Sequence, residues 1–289
     1  MPAPRDEYLR LEDDASLLAY IQSLTKRGET VVALDLEAEN NLHAYGQKLA
    51  LVQLFDGDQL VLIDALKITP ANLSGLFESP RVVKVMFGAS NDLSLVRNCL
   101  GQGIRPIIDL EPAVQLLAPA KQNLHAVIAS ELGITLMHKS RFQKHNWLVR
   151  PLSGEAIQYA LNDVRYLLQL KDRLFKKLEE KGLFAAFLLR NARVQDRNYI
   201  RPAGHRQGNF GGERGLPRRQ QQVAGAVYSV VDRYAARNNI PAFWIIGKSE
   251  IVNLVRSPRE LNKLKLPHKM SPASFAEMQR EIRELILPA

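Results

Sequence analysis

Short hydrophobic runs separated by turn residues dominate the first part of the chain. Five of these runs have the length of strands, so the pattern predicts five strands. They span residues 31–37, 49–55, 59–65, 81–88 and 106–111. Short turns join the first three, which predicts an antiparallel meander.

Apolar residues at helical spacing predict helices between and after these strands. They span residues 14–28, 70–78, 90–100, 112–117, 121–133 and 153–181. A meander followed by strand–helix–strand and then helices indicates an α/β fold whose sheet has mixed direction. No glycine-rich phosphate loop is present, which argues against a doubly wound dinucleotide-binding fold.

The pattern changes after residue 190. Residues 191–222 contain five Gly, two Pro and seven Arg, which is typical of a loose basic connector. Helical spacing resumes near residue 220 and is interrupted at prolines, so a small all-α bundle is expected at the C-terminal end. These prolines are Pro241, Pro258, Pro267 and Pro272.

The excess of basic residues begins where the hydrophobic pattern changes, after residue 190. Together, pattern and charge predict three segments. These are an α/β domain over 1–190, a connector over 191–215 and a helical domain over 216–289. The chain of 289 residues has a formal net charge of +9, yet residues 1–190 hold 22 Lys and Arg against 22 Asp and Glu. The whole excess therefore lies in the C-terminal third, which favours contact with a polyanion over a charge that serves solubility alone.

Cysteine usage and hydropathy exclude several classes. The single cysteine, Cys99, cannot form an intramolecular disulfide, and no Cys/His cluster suggests zinc. The N-terminus is polar and acidic, and no stretch approaches the ~20 apolar residues of a membrane span. We expect a cytoplasmic protein without a membrane partner, and no obligate protein partner is evident.

Two carboxylates close the first predicted strand. Asp35 and Glu37 are two residues apart, so they point to the same face and offer hard oxygen ligands to Mg²⁺ or Mn²⁺. The tripeptide Asp-Leu-Glu recurs at 109–111, so one of the two pairs is expected to be a decoy. Pro112 starts a helix directly after the second pair, where Glu111 complements the helix dipole, and we therefore favour the first pair.

Three further residues are weak candidates when taken singly. Asp92 lies at a helix start, where complementing the helix dipole would explain it without a catalytic role. Tyr159 and Asp163 are four residues apart on the helix predicted over 153–170 and share a face, but they also fit a core boundary and a solvated charge.

Their order and surroundings resemble the three motifs of the DEDD exonucleases. VVALDLE with LALVQLFDGDQLVLID resembles the first motif, and KVMFGASNDLSLV resembles the second. KHNWLVRPLSGEAIQYALNDVRYLLQL is similar to the third and includes the Tyr-x-x-x-Asp of the tyrosine subgroup. The resemblance covers about residues 15–185 and is strongest to the ribonuclease D family. Leu36 stands where that family often has Thr, and this difference leaves both carboxylates in place.

This resemblance implies a ribonuclease H-like mixed sheet flanked by helices. It also implies a 3′–5′ exoribonuclease that uses two divalent ions, Mg²⁺ or Mn²⁺. Asp35, Glu37, Asp92 and Asp163 would hold the ions, and Tyr159 would orient the attacking water. The implied partner is RNA, with precursor tRNA 3′ ends as the default substrate.

Substrate contacts are expected from two loops. His43 and Tyr45 follow the first carboxylates and would touch the terminal nucleotide, or would simply pack on the sheet. Residues 138–150 interleave basic side chains, which could bind phosphates, with aromatic ones, which could stack on bases. Substrate contact is favoured for the basic residues, and the alternative is a solvated loop with Trp147 in the core. The basic candidates there are Lys139, Arg141, Lys144 and Arg150, and the aromatic ones are Phe142 and Trp147.

Residues 216–289 resemble the HRDC domain that accompanies ribonuclease D, which implies an auxiliary bundle that helps to hold RNA. Two other functions stay open. An exonuclease acting mainly on DNA would use the same fold and metals. A catalytically inactive scaffold that binds RNA would usually lack a carboxylate, and none is missing here.

Overall fold

The computed structural model describes residues 7–28, 30–118, 120, 122–136, 142, 144–200 and 215–287. It divides into two compact units. The first consists of Met1–Ala38 and Lys48–Ile200, and the second of Glu39–Gln47 and Arg201–Ala289. The first unit thus continues past residue 190, where the sequence pattern ended the domain.

Six strands form one sheet in the described part of the first unit. They are β1 (Tyr8–Leu11), β2 (Val31–Asn40), β3 (Gln47–Phe55), β4 (Leu60–Ile63), β5 (Val83–Met86) and β6 (Ile107–Asp109). Their order across the sheet is β1-β4-β3-β2-β5-β6. β3 and β4 are antiparallel, whereas β1–β4, β2–β5 and β5–β6 are parallel. The predicted α/β fold with a mixed sheet is therefore confirmed.

Eight α-helices accompany these strands in the described residues. They are α1 (Asp14–Arg27), α2 (Pro70–Phe77), α3 (Ser90–Leu100), α4 (Glu111–Leu117), α5 (Leu124–Leu132), α6 (Gly154–Arg165), α7 (Leu167–Glu180) and α8 (Phe184–Asp196). The helical run predicted over 153–181 forms two helices, because the chain bends at Tyr166.

Strand β1 and helix α8 were missing from the sequence interpretation. β1 is four residues long with an exposed arginine, so its own pattern is weak, and its parallel pairing of Tyr8 with Leu60 stabilises it as a strand. α8 occupies a stretch that composition had assigned partly to the connector. Phe187 is its anchor in the core.

The two faces of the sheet bury separate apolar clusters. Helices α1, α2 and α3 pack on one face and helices α4 to α8 on the other. Within β2, Val32, Leu34 and Leu36 belong to the first cluster and Ala33 to the second. Because side chains alternate along a strand, Asp35 and Glu37 project from the face that carries α6.

A buried lysine ties together the backbone around β5. Lys84 Nζ donates hydrogen bonds to the carbonyl oxygens of Ser79 (3.1 Å), Val82 (2.8 Å) and Arg105 (2.6 Å). Burial lowers the pKa of Lys84 to about 7. Its three N–H bonds join the backbone before β5 to the backbone before β6.

Helix α8 hydrogen-bonds to strand β6 through side-chain amides. Asn191 Oδ1 accepts from the Asp109 amide (2.8 Å), and Asn191 Nδ2 donates to the Ile107 carbonyl (3.0 Å). Gln195 Oε1 accepts from the Ile107 amide (3.0 Å). The open side of β6 is thereby paired by a helix.

The second unit contains the predicted all-α bundle. Its helices are α9 (Arg218–Arg237), α10 (Ala242–Ile245), α11 (Lys248–Arg256) and α12 (Pro272–Ile286), with a 3-10 helix at Pro258–Lys263. α9 lies at the centre of its core, where the buried Tyr234 hydroxyl donates to Glu281 Oε1 (2.7 Å). Pro241, Pro258 and Pro272 stand at element starts, as their positions in the sequence predicted.

Hydrophobic helices of membrane-spanning length are not found among the described residues.

Candidate active site

Three carboxylates meet where β2 passes α6. Asp35 and Glu37 come from β2 and Asp163 from α6, and one oxygen of each lies within 4.8 Å of the others. All three side chains are partly exposed. Carboxylate oxygens at this spacing are the donors that a hard divalent cation prefers, so the set fits such an ion.

Asp92 supplies a fourth charge from the first turn of α3. Burial raises the pKa of Asp35 well above its usual value, and the charges of Asp92, Asp163 and Glu37 raise it further. The pKa of Glu37 is raised by burial and then by Asp163 and Asp92. The charges of Asp92 and Asp163 thus act on both Asp35 and Glu37, and a bound cation would offset this repulsion.

The pKa of Asp92 itself rises to about 7. Burial is the main cause, and the charge of Asp109 is the second. The charge of Asp109, the first residue of the second Asp-Leu-Glu, thus acts on Asp92.

Tyr159 lies one helical turn before Asp163 on α6. Its ring is 5.0 Å from that of Phe142 and 6.3 Å from that of Trp147, between ring centroids. Burial raises the pKa of the Tyr159 hydroxyl, and the charges of Asp163, Glu37 and Asp35 add to the shift. The hydroxyl thus stays protonated at neutral pH and faces the carboxylate group.

The sequence interpretation missed His125. Its Nε2 lies 3.0 Å from Asp163 Oδ1, and its ring centroid is 6.5 Å from that of Tyr159. His125 follows the α5 N-cap residue Asn123 and belongs to no repeated spacing, so only the fold shows this contact. The imidazole orients a carboxylate that the site presents to a metal.

The second Asp-Leu-Glu does not join the carboxylate cluster found among the described residues. Asp109 accepts backbone hydrogen bonds in the core, and Glu111 is the first residue of α4. This placement agrees with the preference for Asp35 and Glu37.

The two candidate substrate residues after β2 lie in the second unit. Tyr45 packs on the core of that unit, and its hydroxyl donates to Asp232 Oδ2 (2.7 Å). His43 Nδ1 is 3.0 Å from Glu39 Oε2, and the His43 amide donates to Glu39 Oε1 (2.9 Å). These contacts indicate a structural contribution from Tyr45, and nucleotide contact by either residue stays a prediction.

Arg150 has a different role from the phosphate contact that the sequence suggested. Its Nε and Nη2 bind Asp64 in a bidentate pair, each at 2.7 Å. The other three N–H groups donate to the carbonyls of Trp147 (2.7 Å), Val149 (2.9 Å) and Ala50 (3.0 Å). All five N–H groups are therefore engaged within the protein, and none is left for a phosphate.

The remaining candidates from residues 138–150 separate into three groups. Lys144 is exposed and available to solvent. Phe142 and Trp147 are buried against the Tyr159 ring, which agrees with the alternative that placed Trp147 in the core and leaves neither ring exposed for base stacking. Lys139 and Arg141 lie outside the described residues.

Solved structures share this fold. The crystal structure of Escherichia coli RNase D, described as an exoribonuclease involved in structured RNA processing, matches with a TM-score of 0.75 and 25% identity. The match covers 98% of this chain and 76% of that one. The catalytic core of RRP6 from Trypanosoma brucei has a TM-score of 0.80, 22% identity and coverage of 99% and 83%.

Sequence comparison finds relatives named ribonuclease D. The protein from Musicola paradisiaca is 38% identical over 159 residues, which is 54% of this chain and 42% of the relative. The protein from Escherichia coli K12 is 33% identical over 187 residues, or 63% and 48%. The chain spans slightly less than half the length of these relatives.

The family model described as 3′–5′ exonuclease matches residues 9–179. This range is more than half of the chain and contains Asp35, Glu37, Asp92, Tyr159 and Asp163. The chain therefore belongs to the 3′–5′ exonuclease family.

Proposed function

We propose that this chain is a metal-dependent 3′–5′ exoribonuclease of the ribonuclease D type. The observation that carries the proposal is the meeting of Asp35, Glu37 and Asp163 beside Tyr159, with Asp92 in electrostatic contact. The relatives named ribonuclease D supply the choice of RNA over DNA.

The four carboxylates are suited to hold two divalent ions, Mg²⁺ or Mn²⁺. When bound, such a pair activates water and stabilises the leaving oxygen of a phosphodiester. Asp35, Glu37 and Asp163 would hold the ion that activates water, and Asp35 and Asp92 would help to hold the ion at the leaving oxygen. The raised pKa values of Asp35, Glu37 and Asp92 support this assignment, because the ionised group is unfavourable without cations.

Tyr159 is suited to orient the attacking water. Phe142 and Trp147 hold its ring, and its hydroxyl retains its proton, so it can donate a hydrogen bond. His125 fixes the direction of the Asp163 carboxylate. A single protonated hydroxyl beside fixed carboxylates gives the water one preferred direction of attack.

The second unit is suited to grip the body of an RNA. Residues 201–289 hold 15 Lys and Arg against 7 Asp and Glu. A groove of about 420 Å³ in this unit is lined by Phe243, Trp244, Lys263 and Lys265 among others. Phe243 and Trp244 are 53% and 40% exposed. Exposed aromatics beside lysines offer stacking for unpaired bases and charge for phosphates.

The proposed natural substrate is the 3′ end of a precursor tRNA. The decisive test is digestion of a 3′-extended precursor tRNA by the wild type and by Asp35→Asn. We expect the wild type to shorten the RNA with Mg²⁺ or Mn²⁺ and to stop in excess EDTA. The variant should bind RNA with little loss and cleave it at least about 10³-fold more slowly, because a carboxylate that would hold the ions is gone.

Matched DNA and RNA oligomers separate the alternatives. Faster cleavage of DNA would favour a DNA exonuclease. Tight RNA binding by a wild type that cleaves nothing with Mn²⁺ would favour the scaffold. Full activity in EDTA would contradict the metal-dependent mechanism.

A further inference from the structure

Asp109 is a buried carboxylate that the proposed chemistry leaves unused. It ends strand β6, and its side chain is only 1% exposed. A carboxylate at this depth is costly unless hydrogen bonds satisfy its oxygens.

Three backbone amides satisfy Asp109. Its Oδ1 accepts from Gly88 N (2.7 Å) and Glu111 N (3.0 Å), and its Oδ2 accepts from Ala89 N (3.0 Å). The Asp109 amide is itself held by Asn191 Oδ1 at 2.8 Å. The backbone of Asp109 is therefore held by α8, and its carboxylate binds the turn after β5.

That turn sets the start of helix α3. Gly88 has a φ of 68°, a conformation that favours glycine. The Ala89 carbonyl then accepts the hydrogen bond of Leu93 N (2.9 Å), which begins the helix. Asp92 lies in this first turn, so a rotation of the Gly88–Ala89 peptides would redirect its side chain.

We propose that Asp109 is a positioning residue for Asp92. It holds the Gly88–Ala89 turn so that Asp92 points toward Asp35 and Glu37. Asp109 of the second Asp-Leu-Glu thereby helps to place a carboxylate beside those of the first. This inference rests on the proposed function, because Asp92 is taken there as a metal ligand.

The test uses Asp109→Asn in the full chain. An asparagine of the same size places an amide N–H against a backbone N–H of the turn, which breaks one bond and twists the peptides. We expect Mn²⁺ binding without RNA, measured by calorimetry, to weaken about 10-fold. With RNA, kcat should fall while KM changes little.

A double-mutant cycle isolates the route of the effect. In an Asp92→Asn background, Asp109→Asn should not weaken Mn²⁺ binding further, because the residue that it positions is already altered. An equal loss of affinity in both backgrounds would contradict positioning through Asp92, as would unchanged Mn²⁺ binding by folded Asp109→Asn.

Lys84→Met is the matched control, since Lys84 is a buried charge on the neighbouring strand with no contact to the turn. It should lower Tm without changing Mn²⁺ affinity. If Asp109→Asn does not fold, Gly88→Ala disturbs the same turn, because alanine is strained at the φ of 68° that this position adopts. Gly88→Ala should weaken Mn²⁺ binding in the same non-additive way, and unchanged binding would overturn the proposal.

The two proposals fail differently. A wild type that neither binds Mn²⁺ nor cleaves RNA contradicts the proposed function. An active wild type whose metal affinity is insensitive to both turn variants contradicts only the role of Asp109.

Discussion

At the scale of single residues, Tyr159 shows how packing and charge prepare a group for one task. Two buried rings, Phe142 and Trp147, fix the direction of its ring. Nearby carboxylates and burial keep its hydroxyl protonated. A protonated, fixed hydroxyl acts as a hydrogen-bond donor.

Tyr159→Phe removes this donor and leaves the ring in place. We expect kcat for a short RNA to fall about 10²-fold and RNA affinity to stay within about twofold, because the lost bond orients the attacking water alone. Single-turnover cleavage and filter binding measure the two quantities. A variant that cleaves at the wild-type rate would exclude this role.

Some of these residues could be predicted from the sequence and others could not. Strand alternation put Asp35 and Glu37 on one face, and a four-residue spacing put Tyr159 with Asp163. No local pattern relates Arg150 to Asp64, because 86 residues separate them. His125 was missed for the same reason, since its contact with Asp163 spans 38 residues.

At the scale of elements, the site exists because β2, α3 and α6 bring like charges to one place. In the folded protein the pKa of Asp92 is about 7, against an ordinary value of 3.8 in the unfolded chain. Stability from this group is fully present below the unfolded value and is lost as pH rises through 7, because the folded state then holds an unfavourable ionised carboxylate.

Metal-free protein should therefore lose thermal stability between about pH 4 and pH 7, the interval between the unfolded and folded pKa values of Asp92. Excess Mg²⁺ should remove the loss, because the cation stabilises the ionised carboxylates. Differential scanning fluorimetry in EDTA and in Mg²⁺ measures both curves. Asp92→Asn serves as the control and should make the EDTA curve shallower, with the remaining slope due to the raised pKa values of Asp35 and Glu37. A Tm that rises with pH over this interval in EDTA would contradict the prediction.

The segment before α6 contains two basic residues with separable roles. Arg150→Ala leaves the buried Asp64 unpaired, so we expect it to lower the free energy of unfolding by about 3 kcal/mol. Lys144→Ala removes an exposed charge, so it should weaken RNA binding without changing stability. Urea unfolding and RNA titration at a temperature where both variants are folded measure the two effects. Reversed outcomes would restore Arg150 as the phosphate contact.

Most elements could be predicted because their own residues carry the periodicity. β1 could not, because four residues give little alternation and its parallel pairing with β4 decides its state. α8 could not be bounded, because its exposed arginines resemble the connector and only Phe187 and Asn191 are buried in it. In both cases a distant partner stabilises the element.

At the scale of the whole molecule, the carboxylates and the excess of basic residues lie in different parts of the chain. The carboxylates belong to the first unit, and most of the positive excess lies in residues 201–289. Each phosphate that is neutralised releases counterions, so the number of basic contacts can be read from the salt dependence of binding.

A fragment of residues 1–200 should cleave short RNA with metal but bind long RNA more weakly and with a shallower salt slope. Trp244→Ala in the full chain should weaken long-RNA binding and keep the slope, because it removes stacking and no charge. Binding isotherms at several salt concentrations measure both slopes. Equal slopes for fragment and full chain would contradict the gripping role.

The hydrogen bonds from Asn191 and Gln195 to β6 also affect the risk of aggregation while the chain is being synthesised. A sheet edge with free backbone groups can recruit strands from other molecules and start aggregation. Here that edge is covered by residues more than 80 positions later in the chain. The backbone of β6 therefore stays unpaired, and able to recruit other strands, until α8 has left the ribosome. A polypeptide that stops at residue 190 would keep the backbone of β6 unpaired and would need chaperones to avoid aggregation.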